Sequence, residues 1–159
     1  MNAGPDTTPE LEISPGSLAI EIPARADFVS FARVVIATAA ELRPDIAAER
    51  IEDLKLAVSE AVTNAINAQG RVGTDDRIRI ECHLSDDEVT VYIHDRGQGF
   101  DQSDVPELPE PEDPDRLLHE SGLGLHLMAM LTDESEVSSD DDGTDVKLVV
   151  YSSKRRRSG

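Results

Sequence analysis

The sequence predicts an α+β two-layer sandwich, with helices on one face of a mixed, mostly antiparallel sheet. Three observations lead there. Apolar and polar residues alternate in short runs at 18–22, 77–84, 88–94 and 145–151, the period of a strand with one buried face. Two longer stretches, 28–42 and 47–68, repeat apolar residues at helical spacing. Ser85-Asp86-Asp87 alone separates the second and third alternating runs, which reads as an antiparallel hairpin.

In chain order, residues 1–16 carry Pro5, Pro9, Pro15 and Gly16 and read as a flexible lead-in. Leu18, Ile20 and Ile22 make a short strand. Asp27 is placed to cap a helix whose apolar positions include Phe28, Phe31, Val35, Ala39 and Leu42, with Pro44 marking its end. Ile51, Leu54, Val58, Ala61, Ala65 and Ile66 form the inward stripe of the second helix, and residues 70–76 a loop. After the hairpin, residues 101–115 hold seven acidic residues, four prolines and no basic one. Nothing in that segment can pack a core, so it reads as a mobile surface loop. A short helix at 122–131 and a strand at 145–151 follow, and Lys154-Arg155-Arg156-Arg157 ends the chain as a solvated basic tail. The domain is expected to run from 17 to 151.

At 159 residues this is one domain's worth of chain, and with 3% aromatic residues and no Trp its core must be aliphatic. Thirty-three acidic residues against 15 basic ones give a formal charge of −18. That excludes binding to a bare phosphate backbone, which needs clustered Lys and Arg. It suits either a partner with a basic surface, reached by electrostatic steering, or simply high solubility. Cys82 is the only cysteine and shares an alternating face with Ile78, Ile80 and Leu84, so a buried thiol is expected. No apolar run approaches a membrane span and no signal peptide is visible. A cytoplasmic protein is expected.

Chemistry concentrates in four places. Glu60 and Asn64 stand four residues apart in the second helix, one above the other on a common face. Together they could present two hard oxygens to a cation such as Mg²⁺, although an isolated pair of this kind is usually a solvated helix face. Asp95-Arg96-Gly97-Gln98-Gly99 closes a strand. It is either a plain glycine turn or a site where the Asp95 carboxylate accepts a hydrogen bond from an exocyclic amine such as adenine N6. Gly122-Leu123-Gly124-Leu125 opens a helix, as a tight entry or as a place where backbone approaches phosphate at a helix N-terminus. Gly143-Thr144 precedes the last strand. The P-loop and dinucleotide fingerprints are absent, so a nucleotide site here must be of another kind.

The order E-x-x-x-N, D-x-G-x-G, G-x-G, G-T resembles the GHKL superfamily of ATP-binding domains, whose nucleotide-binding unit is the Bergerat fold. The resemblance spans residues 24–151. Ser59-Glu60-Ala61-Val62-Thr63-Asn64-Ala65-Ile66 and Ser30-Phe31-Ala32-Arg33-Val34 look specifically like the anti-sigma-factor serine kinases of bacterial stress-response and sporulation switches. Carried over, the resemblance implies ATP and Mg²⁺ as cofactors. Asn64 holds the metal, Glu60 acts as general base or orients a water in the metal's shell, and Asp95 reads the adenine amine. Gly97 and Gly99 leave room for the base, Thr144 contacts adenine, and Gly122, Leu123, Gly124 and Leu125 offer amides to the phosphates. The acidic loop, about 101–121, becomes a lid. The implied reaction moves the γ-phosphate of ATP to a serine or threonine of an antagonist protein. The implied second role is sequestration of a sigma factor by a homodimer, with Arg33 contacting partners. Asn67-Ala68 stands where similar proteins often carry a histidine, and His119-Glu120-Ser121 where they often carry an arginine. The alternative is a sigma-sequestering module that binds ATP weakly or not at all. A sensor histidine kinase would need an upstream dimerisation segment with a phospho-accepting histidine, which these residues do not provide.

Overall fold

The structure, a computed structural model, describes residues 16–72, 76–97 and 120–158. Strand β1 (Ser17–Ile22) leads through a 3₁₀ turn (Ala26–Phe28) into helix α1 (Val29–Glu41) and then α2 (Ala48–Val72). The hairpin β2 (Ile78–Leu84) and β3 (Glu88–Asp95) follows, then α3 (Glu120–Leu131), β4 (Glu134–Asp140), β5 (Gly143–Tyr151) and α4 (Ser153–Arg157). The sheet order is β1-β2-β3-β5-β4. All four pairings are antiparallel, which is simpler than the mixed sheet expected.

Alternation does the sorting. Ile78, Ile80 and Cys82 on β2, Val89, Val91 and Ile93 on β3, and Val146, Leu148 and Val150 on β5 all point into the core. They meet Ile36, Leu54, Val58, Ala61, Val62 and Met128 from α1, α2 and α3. Each such aliphatic side chain contributes about 1.5–3 kcal/mol when fully buried. The alanines at 57, 61 and 65 let α2 lie close to the sheet. Burial pushes the Cys82 thiol up to about 12, so it is the structural thiol expected.

Four expectations change. Asp27 does not cap α1: it lies within the 3₁₀ turn, and Phe28, which has no capping side chain, occupies the N-cap position; Asp27 pairs with Arg25 at 2.9 Å instead. Strand β4 had no signal in the sequence. Helix α2 runs one turn past Ala68, to Val72. The basic tail is a short helix tied to the body by Arg155 and Arg156, with Lys154 and Arg157 exposed as expected of a solvated end. Ser152, 1% exposed, caps it by accepting from the Arg155 amide. Arg155 pairs with Glu88 and lies 3.8 Å over the Tyr151 ring. Arg156 reaches Asp133 at 2.6 Å. Asp133 also accepts from Arg50 on α2 at 2.9 Å and from the Tyr151 amide at 2.8 Å, so one carboxylate joins three elements. Of the expected lead-in only Gly16 is described, and of the expected lid only Glu120 and Ser121, which open α3; the rest of both lies outside the described residues.

Candidate functional site

Three local arrangements share α2 as their axis. The first is the Glu60–Asn64 pair. Both side chains are half-buried, and both meet the same backbone atom, the α-carbon of Gly124. A Cβ at Gly124 would lie 3.0 Å from Asn64 Nδ2, 3.2 Å from Glu60 Oε2 and 3.7 Å from Asn64 Oδ1. The i, i+4 spacing therefore brings the carboxylate and the carboxamide to one point, against the second turn of α3.

This contact gives Gly124 a role the sequence did not suggest. Its amide and that of Leu125 lie inside α3, where the helical pattern directs them to carbonyls four residues back. The amides an α-helix leaves free for an anion are those of its first turn, here the turn of Glu120, Ser121 and Gly122. Gly124 permits this closeness: a Cβ there would press on the ends of both side chains, which would have to give by a few tenths of an ångström. Gly122 and Leu123 stand in the described helix backbone. Gly99 lies outside the described residues.

The second arrangement is one turn further along α2. A Cβ at Gly97 would come within 2.6 Å of the Ala68 carbonyl carbon and 2.7 Å of both Ala68 Cβ and the Gln69 nitrogen. The turn after β3 thus lies directly on the helix backbone, and Gly97 is required by that approach. Asn67-Ala68 supplies the small residue that this contact needs.

The third arrangement surrounds Asp95, at the end of β3 and 3% exposed. Its Oδ1 accepts from the Gly97 amide at 2.8 Å. Burial pushes its carboxyl above the ordinary aspartate range, opposed by the Gly97 and Thr144 amides and by His94. Thr144 faces Asp95 across the β3–β5 ladder, and its hydroxyl shares a 2.9 Å hydrogen bond with Ser139. Gly143, at φ +141°, packs against the Asp95 carbonyl. A buried, desolvated carboxylate with unused lone pairs is suited to accept from an amine. Asp95→Asn adds a donor where an acceptor is needed, so ATP affinity should fall about tenfold or more while GTP affinity stays unchanged. Calorimetry with both nucleotides measures this; equal affinities in wild type and variant would remove Asp95 from base recognition.

Two residues were missed. Gln69, 0% exposed, bridges α2 to the residue after Asp95. Its signal was a polar side chain four residues beyond Ala65, on the buried stripe. Gly143 was noted only as half of a G-T pair. Arg33 lies apart from all three arrangements, on α1. It is half-buried, with Nε shielded from solvent and unpaired among the described residues, between exposed Phe31 and Val34. The opposite face of the sheet holds a trough of about 430 Å³ that includes Arg79, Glu81, His94 and Asp145. Its charges pair among themselves, Arg79 with Glu81 and His94 with Asp145, and it adjoins the third arrangement only through His94 and Asp145, whose charges act on Asp95 from beside it.

Among described residues no group of three or more His, Cys, Asp or Glu could hold a metal. Mg²⁺ does not require one. It commonly takes one or two protein oxygens and completes its shell with water and substrate phosphates, and the Asn64 carboxamide oxygen beside Glu60 fits that pattern.

The geometry has parallels in known proteins. The chain is 34% identical over 123 residues to the serine-protein kinase RsbW of Oceanobacillus iheyensis, covering 76% of this chain and 77% of the relative. It is 37% identical over 142 residues to the anti-sigma F factor of Clostridium beijerinckii, covering 87% and 94%. Among solved structures, the RsbU and RsbW domains of a Mycobacterium tuberculosis protein match with a TM-score of 0.61 at 22% identity, over 84% of this chain and 32% of that longer one. The SiaB–SiaC complex of Pseudomonas aeruginosa matches with a TM-score of 0.60 at 15% identity, over 84% and 88%. These two likenesses show the fold. The family model described as a histidine kinase-like ATPase domain matches residues 22–150, and the chain belongs to that family.

Proposed function

We propose that this chain is an ATP-dependent serine/threonine-protein kinase that phosphorylates an antagonist protein and also acts as an anti-sigma factor. The observation that carries the catalytic half is the packing of Gly124 on both Glu60 and Asn64. It brings a candidate proton acceptor and a candidate metal ligand to one point, about one turn beyond the start of α3. Phosphoryl transfer needs little more from a protein than positioning and charge neutralisation.

Asn64 would hold Mg²⁺ through Oδ1. When bound, that cation neutralises charge on the phosphate oxygens. Glu60 takes the proton of the attacking hydroxyl, a role its half-buried position beside Asn64 permits. Asp95 accepts from the adenine amine and fixes the nucleotide's orientation, while the first turn of α3 directs amides toward the phosphates. The sequestering half is supported by the relatives named for anti-sigma activity and by the charge of −18, which steers a basic partner toward the surface.

Calorimetry of ATP binding with and without Mg²⁺, on the wild type and Asn64→Ala, tests the site. Binding should require Mg²⁺ and weaken at least tenfold in the variant. A folded wild type that binds no ATP would instead leave the sequestering module. Arg33→Ala should reduce capture of the sigma factor, read by co-purification, with ATP affinity unchanged. Undiminished capture would move the partner surface away from that part of α1.

A further inference from the structure

We propose that Gln69 is a positioning residue for adenine recognition, its buried carboxamide fixing the turn that presents Asp95. The inference rests on the reading of Asp95 as the adenine contact.

Gln69 is 0% exposed, and a carboxamide is tolerated there only if both of its ends are bonded. They are. Its Oε1 accepts from the Arg96 amide at 3.2 Å, and its Nε2 donates to the Asp76 carbonyl. One side chain therefore ties together the last turn of α2, the approach to β2 and the residue that follows Asp95. The neighbouring contact reinforces this geometry, because Gly97 lies against Ala68 and the Gln69 nitrogen. From there the link to the carboxylate is direct: Arg96 is held by Gln69, and the Gly97 amide, one residue on, pins Asp95 Oδ1 at 2.8 Å. The Thr144 amide bonds the same carboxyl from β5, and between them the two amides restrict its orientation. One of those two restraints comes from the turn that Gln69 holds against α2.

The two ends of the carboxamide have separable consequences. The acceptor end holds the Asp95 turn, whereas the donor end holds the start of β2. Gln69→Met keeps the volume and removes both bonds. Gln69→Glu keeps an acceptor for the Arg96 amide and removes the donor.

The test is calorimetry of ATP and GTP, each with Mg²⁺, on full-length wild type and both variants, after circular dichroism and melting confirm folding. Gln69→Met should weaken ATP about tenfold and leave GTP where it was, while Gln69→Glu should recover most of the preference for ATP. Wild-type affinities in Gln69→Met, an equal loss of both nucleotides, or a Gln69→Glu no better than Gln69→Met would each overturn the proposal. Absence of ATP binding in the wild type is a different failure, that of the nucleotide site itself. Should neither variant fold, amide resonances of the wild type decide. The Gln69 side-chain and Arg96 signals should shift on adding ATP and stay in place on adding GTP; unmoved signals with ATP overturn the assignment.

Discussion

Glu60→Ala retains ATP and loses phosphoryl transfer by roughly 10²–10⁴-fold, the range associated with a general acid or base. Two facts set this expectation. Asn64, which carries the metal in the proposed site, is untouched by the substitution. Removal of a carboxylate near the triphosphate also relieves like-charge repulsion, so nucleotide affinity should hold or rise slightly. The loss therefore falls on the transition state rather than on binding. Transfer of labelled γ-phosphate to the antagonist protein, measured beside calorimetric ATP affinity, separates the two. Glu60→Gln keeps the shape without the base and should resemble the alanine variant. Wild-type transfer in either one would assign the proton to another acceptor.

Gly143→Ala should be the most damaging single change outside the aliphatic core. At φ +141° a Cβ would stand 1.9 Å from the Asp95 carbonyl oxygen, 2.8 Å from its carbon and 2.9 Å from the Arg96 α-carbon. All three neighbours are backbone and cannot rotate away. Backbone strain of about 1–3 kcal/mol and overpacking of similar size combine here. A loss of about 3 kcal/mol or more follows, a fall in Tm on the order of 10 °C for a chain of this length. Because the clash is with Asp95 itself, ATP affinity should fall with stability. Gly70→Ala is the control. It sits within α2 with nothing within 4 Å of a new Cβ, and should stabilise by about 0.5–1 kcal/mol through helix propensity alone. A Gly143→Ala protein that melts and binds like wild type would show that β5 can move away from Asp95 at no cost.

Much of this architecture was legible because one-sided burial leaves a strong periodic trace. The hairpin of β2 and β3, the strand β5 and the stripe on α2 all alternate or repeat cleanly, and all supply the core. Strand β4 was not legible for the opposite reason. Its sequence Glu134-Ser-Glu-Val-Ser-Ser-Asp140 has one apolar residue, Val137, because it is an edge strand with little to bury. Its acidic and hydroxyl side chains suit an edge that must not pair further. The tail was misread because four consecutive basic residues look solvated, and only the fold reveals that Asp133 and Glu88 face them. In the proposed site, Glu60, Asn64 and Asp95 were singled out by residue type and spacing. The need for glycine at 97 and 143 came from backbone contacts between segments distant in sequence, which no local pattern records. Gln69 stood in plain view on the buried stripe, yet its partners, Arg96 and Asp76, lie in other elements.

The 25-residue length of α2 makes it a rod of roughly 37 Å with work at both ends. Gln69 grips the Asp95 turn at one end. Some 28 Å away by the same rise, Arg50 grips Asp133, and through it Arg156 of the docked C-terminal helix. Glu60 and Asn64 sit between them. One continuous helix thus carries hydrogen bonds to the Asp95 turn at one end and to the Asp133 cluster at the other, so two groups of residues far apart in the chain are set in place by a single element.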